Sequence, residues 1–112
     1  MRIPNAEHAL IAEEKIIQYL LNPEHPDGAS KARVLARAGF HADYPHELEK
    51  ALREQHLTLD AEHGKPSPFG VKYDISGGLI GPSGLVLVKS IWMIKFGESI
   101  PRLITIIPEN LP

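Results

Sequence analysis

The spacing of apolar residues changes halfway along this chain, from a helical period to an alternating one. Up to about residue 56, apolar residues recur every three or four positions, which is typical of amphipathic helices. From about residue 57, apolar and polar residues alternate between short turns containing glycine or proline, which is typical of antiparallel strands. We therefore expect one α+β domain over 1–112, with three N-terminal helices (about 1–56) packed on a C-terminal three- to four-stranded antiparallel sheet (about 57–108).

Three helices are expected in the first half of the chain. The first carries glutamates in its first turn and ends at the Asn22-Pro23 pair, because a residue before proline disfavours helical geometry. The second spans about Lys31–Ala38 and is followed by a glycine, a common residue just beyond a helix C-terminus. The third opens at Asp43, with a proline in its first turn.

The longer strands of the second half are expected over about Val71–Ser76, Leu85–Phe96 and Arg102–Ile107. The Gly77-Gly78 pair is expected to form a bulge or a weak strand end. Both sides of the last two strands carry apolar residues, and such strands are usually covered on both faces. We therefore expect another protein, or a second copy of this chain in a homo-oligomer, to cover part of the face that points away from the helices.

The composition argues against several classes of protein. Apolar residues make up 43% of the chain and charged residues 23%, which is typical of a globular protein. No apolar run reaches the roughly 18 residues of a membrane span, and the N-terminus lacks the apolar core of a signal peptide. The absence of cysteine excludes disulfides and thiolate metal sites. We expect a cytoplasmic protein without membrane association, metal or cofactor.

The most informative segment runs from Leu21 to Arg33, where a proline-rich turn leads into a helix. His25 is held close to a proline on either side, and Ser30 is expected to cap the N-terminus of the helix. Lys31 and Arg33 lie in the first turn, where the helix dipole normally favours acids. Free amides, fixed cations and a glycine in the approach predict an anion-binding site formed by Ser30, Lys31 and Arg33.

This segment has two interpretations. In the first, the cations bind a phosphate and His25 acts as general acid or base, because the unperturbed pKa of histidine is near neutral. Lys31 and Arg33 then stabilise the pentavalent phosphate that forms when a 2′-hydroxyl cleaves RNA, a reaction that needs no metal. In the second, the prolines stiffen a connection between helices and the cations are solvated. The formal net charge of −2 does not favour a strongly basic nucleic-acid binder.

Residues of the last two strands are further candidates. Arg102, at the start of a strand, could bind phosphate, and Thr105 follows on the same strand; both join the histidine and cations of the central segment as candidate catalytic residues. Trp92 could stack an RNA base if its side of the sheet is open, although a lone Trp in mid-strand is more often part of the core.

The remaining histidines have neither HExxH nor zinc-finger spacing, and we expect them at the surface or in helix caps: His8, His41, His46, His56 and His63. The chain also lacks a glycine-rich nucleotide-binding loop, a GxSxG motif and a cysteine nucleophile. A familiar hydrolase triad therefore has no support in the sequence.

Nearly the whole chain resembles an uncharacterised bacterial domain family. The resemblance rests on the block Asn5-Ala6-Glu7-His8-Ala9, the central block LNPEHPDGASKAR, and the block Pro101-Arg102-Leu103-Ile104-Thr105. A further family block, R-S-x-W, here reads Lys89-Ser90-Ile91-Trp92, and the lysine keeps the positive charge. Members of this family occur alone and as the last domain of larger toxin-like or phage-associated proteins.

The resemblance implies a toxin-type effector, similar to the small α+β ribonucleases of toxin–antitoxin systems, whose open sheet face holds RNA. The leading hypothesis is therefore a metal-independent, RNA-cleaving, toxin-like domain that a cognate protein neutralises. Two alternatives stay open. One is a non-enzymatic interaction module that docks a partner on its sheet face, and the other is a binder of small anions at the Ser30 helix start.

Overall fold

A computed structural model describes residues 1–109, so the predicted domain span of 1–112 extends beyond the described residues. Three helices follow a short 3₁₀ turn, and two of them end in π-helical turns. They are α1 (Glu13–Lys15, continued as a π-helix over Ile16–Leu20), α2 (Ala29–Arg37) and α3 (Pro45–Ala51, continued as a π-helix over Leu52–His56).

Four strands form one antiparallel sheet in the order β1-β2-β3-β4. They are β1 (Glu62–His63), β2 (Gly70–Gly81), β3 (Gly84–Lys95) and β4 (Arg102–Pro108). A tight turn joins β2 to β3, which pair over their full length up to Gly81 opposite Gly84. The protein is therefore α+β, with three helices and a four-stranded antiparallel sheet.

The hydrophobic core lies between the helices and the sheet. Alternate residues of β3 are buried from Val86 to Trp92, as period-2 side chains of one sheet face should be. The apolar ones, Val86, Val88 and Trp92, belong to one buried cluster with Leu35 of α2 and with Leu48 and Leu52 of α3. The other face of the sheet remains partly open, with Ile80 and Leu85 63% and 61% exposed. Coverage of that face by another chain remains a prediction.

The expected bulge or strand end at Gly77-Gly78 is wrong, because both glycines lie inside β2 and pair with Val88 and Leu87. A Cβ atom at Gly77 would lie 2.7 Å from Cδ1 of Leu59. Glycine therefore lets the segment after α3 pack closely on an uninterrupted strand, which the sequence pattern alone does not reveal.

The irregular position of the sheet lies instead on β4. Ile91 pairs with Thr105 and the next residue of β3, Trp92, pairs with Leu103, so Ile104 is the extra residue of a β-bulge. Bulges leave one residue unpaired, and here the bulge frees the carbonyl of Ile104 for a side chain of α1.

The N-terminal segment pairs with the outer edge of β4. The amide of Leu10 donates to the carbonyl of Pro101 at 2.8 Å, and the amide of Leu103 donates to the carbonyl of Leu10 at 2.9 Å. These bonds hold the start of the chain beside β4 and so place α1 next to this strand. Over residues 1–109, no helix combines the length and the apolar character needed to cross a membrane.

Candidate functional site

Side chains from α1, α2, the turn between them and β4 meet around the ring of Tyr19. The Tyr19 hydroxyl lies 3.1 Å from the Thr105 hydroxyl. The His25 ring stands edge-on to the Tyr19 ring, with centroids 5.0 Å apart. The Nζ atoms of Lys15 and Lys31 each lie 6.0 Å from the centroid of the Tyr19 ring. We call Lys15, Tyr19, His25, Lys31 and Thr105 the Tyr19 cluster.

The turn between α1 and α2 positions His25 against Tyr19. Its conformation is held by a hydrogen bond from the His25 amide to the carbonyl of Asn22, at 3.3 Å. A Cβ atom at Gly28 would overlap the carbonyl oxygen of Tyr19, so glycine is needed for the turn to lie this close to α1. The glycine of the central segment thus serves the placement of His25.

The two lysines of the Tyr19 cluster come from different helices. Lys15 Nζ donates a hydrogen bond to the carbonyl of Ile104 at the β-bulge, at 2.9 Å. Neither lysine forms an ion pair with any carboxylate in the described range 1–109. Both are half-buried, so water and salt screen their charges less than those of exposed lysines. Two such cations beside hydroxyl and imidazole groups are suited to hold an anion.

The hydrogen bonds of His25 fix which of its ring nitrogens can contact a ligand. Nδ1 accepts from the amides of Asp27 and Gly28, at 3.0 and 3.1 Å. A ring nitrogen that accepts carries no proton, so the neutral ring carries its proton on Nε2. His25 can therefore donate a hydrogen bond from Nε2. Proton transfer by this ring would require Nδ1 to release both amides, because the imidazolium ion carries a proton on each nitrogen.

Ser30 does not cap α2. The helix begins at Ala29 with Gly28 as the N-cap, a residue without a side chain that could cap the helix, and Ser30 is exposed. The predicted cap is wrong because His25 provides the capping acceptors. Its carbonyl accepts from the amide of Ala29 at 3.0 Å, and its ring accepts from the two amides before. The amides of Asp27, Gly28 and Ala29 are therefore occupied by His25, whereas the anion site at Ser30 stays a prediction.

Arg33 does not join the Tyr19 cluster. Two residues along an α-helix correspond to about 200° of rotation, so Arg33 and Lys31 point to nearly opposite sides of α2. Arg33 is exposed and lines a separate hollow with Pro23 and Phe40. The sequence pattern places both cations in one helical turn, but the helix geometry separates them.

Trp92 is fully buried, with no exposed side-chain surface, on the side of the sheet that faces the helices. Its Nε1 donates a hydrogen bond to Ser90 Oγ at 2.8 Å. The prediction that Trp92 stacks an RNA base is therefore wrong for this conformation, because its ring is part of the core.

Arg102 lies beside the Tyr19 cluster rather than in it. Its Nη2 donates to Oε1 of Glu98 at 2.8 Å in an i,i+4 ion pair. It lines a hollow at the edge of β4 together with Lys15, which also belongs to the cluster. Of the five predicted catalytic residues, the structure brings three together around Tyr19: His25, Lys31 and Thr105.

Sequence reasoning missed the two residues of α1 that complete the cluster. Tyr19 lies just before the central block, and Lys15 lies four residues before Tyr19, on the same face of a helix. The i,i+4 spacing is visible in the sequence, but it does not reveal that Tyr19 contacts Thr105, 86 residues away.

His56 forms a buried network with Ser90 and Trp92, so its predicted place at the surface or in a cap is wrong. His56 is fully buried; its Nε2 lies 3.1 Å from the carbonyl of Gly77 and its Nδ1 lies 2.7 Å from Ser90 Oγ. A carbonyl only accepts, so Nε2 carries the proton and Nδ1 accepts from the Ser90 hydroxyl. All polar side-chain atoms of the network are thus paired.

The other four histidines outside the cluster are exposed, as the sequence predicts: His8, His41, His46 and His63. In the part of the chain that the structure describes, no three His, Asp or Glu side chains are grouped so that they could hold a metal ion.

The buried His56 should make the protein less stable in acid. Desolvation by burial lowers the pKa of His56 below 6.5, although the hydrogen bond to the carbonyl of Gly77 acts in the opposite direction. Below pH 6.5 the unfolded chain binds a proton that the folded protein does not. The free energy of unfolding should then fall on acidification, by at most about 1.4 kcal/mol per pH unit.

Chemical denaturation between pH 8 and pH 5 measures this slope. Because other groups also titrate, the informative quantity is the difference between the wild type and His56→Gln, which should have the shallower slope. His8→Gln, a change at an exposed histidine, is the matched control. Equal slopes for the wild type and His56→Gln would contradict the assignment of a neutral, buried His56.

The fold and the site define a small α+β domain with a cationic cluster at the edge of its sheet, whose lysines form no ion pair within residues 1–109. The chain belongs to the family DUF6883, described as a domain of unknown function, whose profile matches residues 2–110.

A solved structure has a similar fold: "Contact-dependent growth inhibition toxin - immunity protein complex from Klebsiella pneumoniae 342". The TM-score is 0.59 at 19% sequence identity, and the match covers 89% of this chain and 99% of that chain. At this level of identity the similarity concerns the fold alone. No curated protein matches the chain significantly.

Proposed function

We propose that this protein is a toxin-like, metal-independent endoribonuclease whose reacting phosphodiester binds at the Tyr19 cluster. The observation that carries the proposal is the convergence of two half-buried lysines on one tyrosine ring that also contacts His25 and Thr105. Neither lysine has an acidic partner among the described residues. Such a site offers fixed positive charge and hydrogen-bond donors to an anion that gains charge during reaction.

The reaction would be attack of the 2′-hydroxyl oxygen on phosphorus, with its proton passing to water, and loss of the 5′-oxygen, which takes a proton from water and leaves as a 5′-hydroxyl. The phosphate is left as a 2′,3′-cyclic phosphate. Lys15 and Lys31 would stabilise the pentavalent phosphate. His25 would keep its proton and donate a hydrogen bond from Nε2 to a non-bridging phosphate oxygen, because Nδ1 is bonded to two amides. Tyr19 and Thr105 would position the ribose-phosphate through their paired hydroxyls.

The name of the similar structure supports the toxin-like part of the proposal, since it describes a toxin held in complex with an immunity protein. By analogy of fold, this chain would be neutralised by a cognate protein in the bacterial cytoplasm, where its RNA substrate lies. Membership of a family without assigned function leaves the reaction open to test.

Cleavage of a short single-stranded RNA in the presence of a chelator tests the proposed function. We expect products that end in a 2′,3′-cyclic phosphate and a 5′-hydroxyl, because the nucleophile belongs to the substrate. The same oligonucleotide with 2′-deoxyribose throughout should stay intact while still binding. RNA that remains intact at all protein concentrations, cleavage of the deoxy oligonucleotide, or cleavage that stops when the chelator is added would each contradict the proposal.

A second candidate function is docking of a partner protein on the open face of the sheet, without catalysis. It is favoured by the exposed pair of Ile80 and Leu85, which lie opposite each other at the end of the β2–β3 hairpin. This function would be preferred if intact RNA is recovered and changes in the Tyr19 cluster have no effect on growth of cells that express the protein.

A further inference from the structure

We propose that Arg102, Lys95 and Lys15 form a second phosphate subsite next to the Tyr19 cluster, so that the protein holds two phosphates of one RNA strand. The inference rests on the proposed function and extends it, because it names a polynucleotide rather than a single nucleotide as the ligand.

The subsite is a hollow of about 540 Å³ at the outer edge of β4. Its walls carry three cationic side chains, Lys15, Lys95 and Arg102, and no carboxylate lines it among residues 1–109. The rest of the lining is largely apolar, with Ile11 and Leu103 among its residues. A cationic hollow with apolar walls fits a phosphate with the sugar or base attached to it.

Arg102 has hydrogen-bond donors that an anion could bind. Among the described residues, Nε of Arg102 is a buried polar atom without a hydrogen-bond partner. The neighbouring Nη2 donates to a single oxygen of Glu98. Nε and Nη2 form one edge of the guanidinium group, and a phosphate can bind such an edge with two parallel hydrogen bonds. A phosphate that displaced Glu98 would therefore satisfy both nitrogens.

Lys15 connects the two subsites. Its Nζ lies 6.0 Å from the centroid of the Tyr19 ring and donates to the carbonyl of Ile104, while its side chain also lines the hollow of Arg102. An RNA strand with one phosphate bound at the Tyr19 cluster would thus place its neighbouring phosphates close to further cations. The repeating negative charge of a nucleic-acid backbone fits such a series of cations.

Glu98, which lies outside the lining of the hollow, accepts the Nη2 hydrogen bond of Arg102 that a bound phosphate would take. Its carboxylate pairs with Arg102 at a partly exposed position, where an ion pair is weak and can be exchanged. Loss of this carboxylate should therefore free Arg102 for RNA, whereas a purely structural ion pair would make binding weaker when broken.

The test is fluorescence anisotropy with a labelled 2′-O-methyl hexanucleotide, which cannot be cleaved. Arg102→Met, which keeps much of the side-chain stem, should weaken binding about tenfold and lower the slope of log K against log salt by about 0.7. Glu98→Gln should strengthen binding several-fold. The control Glu47→Gln removes an equally negative, exposed side chain on α3 and should leave the affinity unchanged. A 2′-O-methyl dinucleotide with one phosphate should bind Arg102→Met and the wild type equally.

Unchanged affinity of Arg102→Met for the hexanucleotide, or weaker binding by Glu98→Gln, would overturn the second subsite. Equal strengthening by Glu98→Gln and Glu47→Gln would also overturn it, because the effect would then be a general one of net charge. The outcome is separable from that of the proposed function. If the affinities do not change as expected but RNA is cleaved, only the second subsite is rejected. If the affinities change as expected but RNA is not cleaved, only the nuclease activity is rejected.

Discussion

Replacing Ser90 with alanine is expected to lower the free energy of unfolding by about 2–6 kcal/mol, out of the roughly 5–15 kcal/mol typical of a domain. The Ser90 hydroxyl accepts a hydrogen bond from Nε1 of Trp92 and donates one to Nδ1 of His56. Its removal leaves both fully buried partners unpaired, and each unpaired buried group costs about 1–3 kcal/mol. Urea denaturation of the wild type and Ser90→Ala measures the difference.

Ser76→Ala is the matched control, because Ser76 is an exposed serine of the neighbouring strand β2. We expect that change to alter stability by less than about 0.5 kcal/mol. The fluorescence of Trp92 gives an independent readout, since the emission of a buried indole should resist quenching by iodide. If Ser90→Ala costs no more than Ser76→Ala, the buried network does not stabilise the protein as described.

The fold class can be predicted from the sequence because the spacing of apolar residues and the positions of turn-forming residues act over short distances. Gly39, for example, takes a positive φ of 93° just after α2, as expected of a residue that ends a helix. The turn from Gly81 to Gly84 likewise joins two paired strands where the sequence predicts a turn. These features depend on neighbouring residues alone, and a single sequence carries that information.

The interior of the sheet is less predictable, because it depends on what packs against it. Gly77 weakens an isolated strand, yet it lies within β2 because Leu59 and His56 pack over it. The sequence predicts His56 at the surface or in a helix cap. In the structure its ring lies in the core, where its two nitrogens form hydrogen bonds with Ser90 and the Gly77 carbonyl. Such contacts join residues at least 18 positions apart, which no local pattern reveals.

The candidate site was partly accessible to sequence reasoning. The central block draws attention to His25 and Lys31, which the structure places beside Tyr19, but proximity along the chain does not tell which way a helical side chain points. Arg33 therefore leaves the site, while Lys15 and Tyr19 enter it through contacts with β4. The bulge at Ile104 that makes one of these contacts has no signal of its own in the sequence.

The second large effect is expected when the two lysines of the Tyr19 cluster are replaced together. Lys15→Met with Lys31→Met should reduce the rate of RNA cleavage by about 100-fold or more. Each substitution removes a positive charge that stabilises the negative charge developing on the phosphate. Methionine keeps a long side chain, so packing against the Tyr19 ring is largely preserved. Thermal denaturation shows whether loss of the hydrogen bond from Lys15 to the Ile104 carbonyl affects folding. If it does, the cleavage rate of Lys31→Met alone is compared with that of the wild type.

The chain supplies a charge-matched control on the same helix. Arg33→Met with Arg37→Met also removes two positive charges, but both arginines are exposed and Arg33 lies about 200° around α2 from Lys31. If only the overall charge of the protein attracts RNA, the two double variants should be impaired equally. If the Tyr19 cluster holds the phosphodiester, only the lysine pair should be impaired.

The most direct measurement is therefore the cleavage rate of one RNA oligonucleotide by these two double variants and the wild type, side by side at the same ionic strength. Binding of a reacting phosphate between α1, α2 and β4 predicts that the lysine variant is nearly inactive while the arginine variant cleaves at close to the wild-type rate. Equal activity of the two variants, whether both are fast or both are slow, would contradict it.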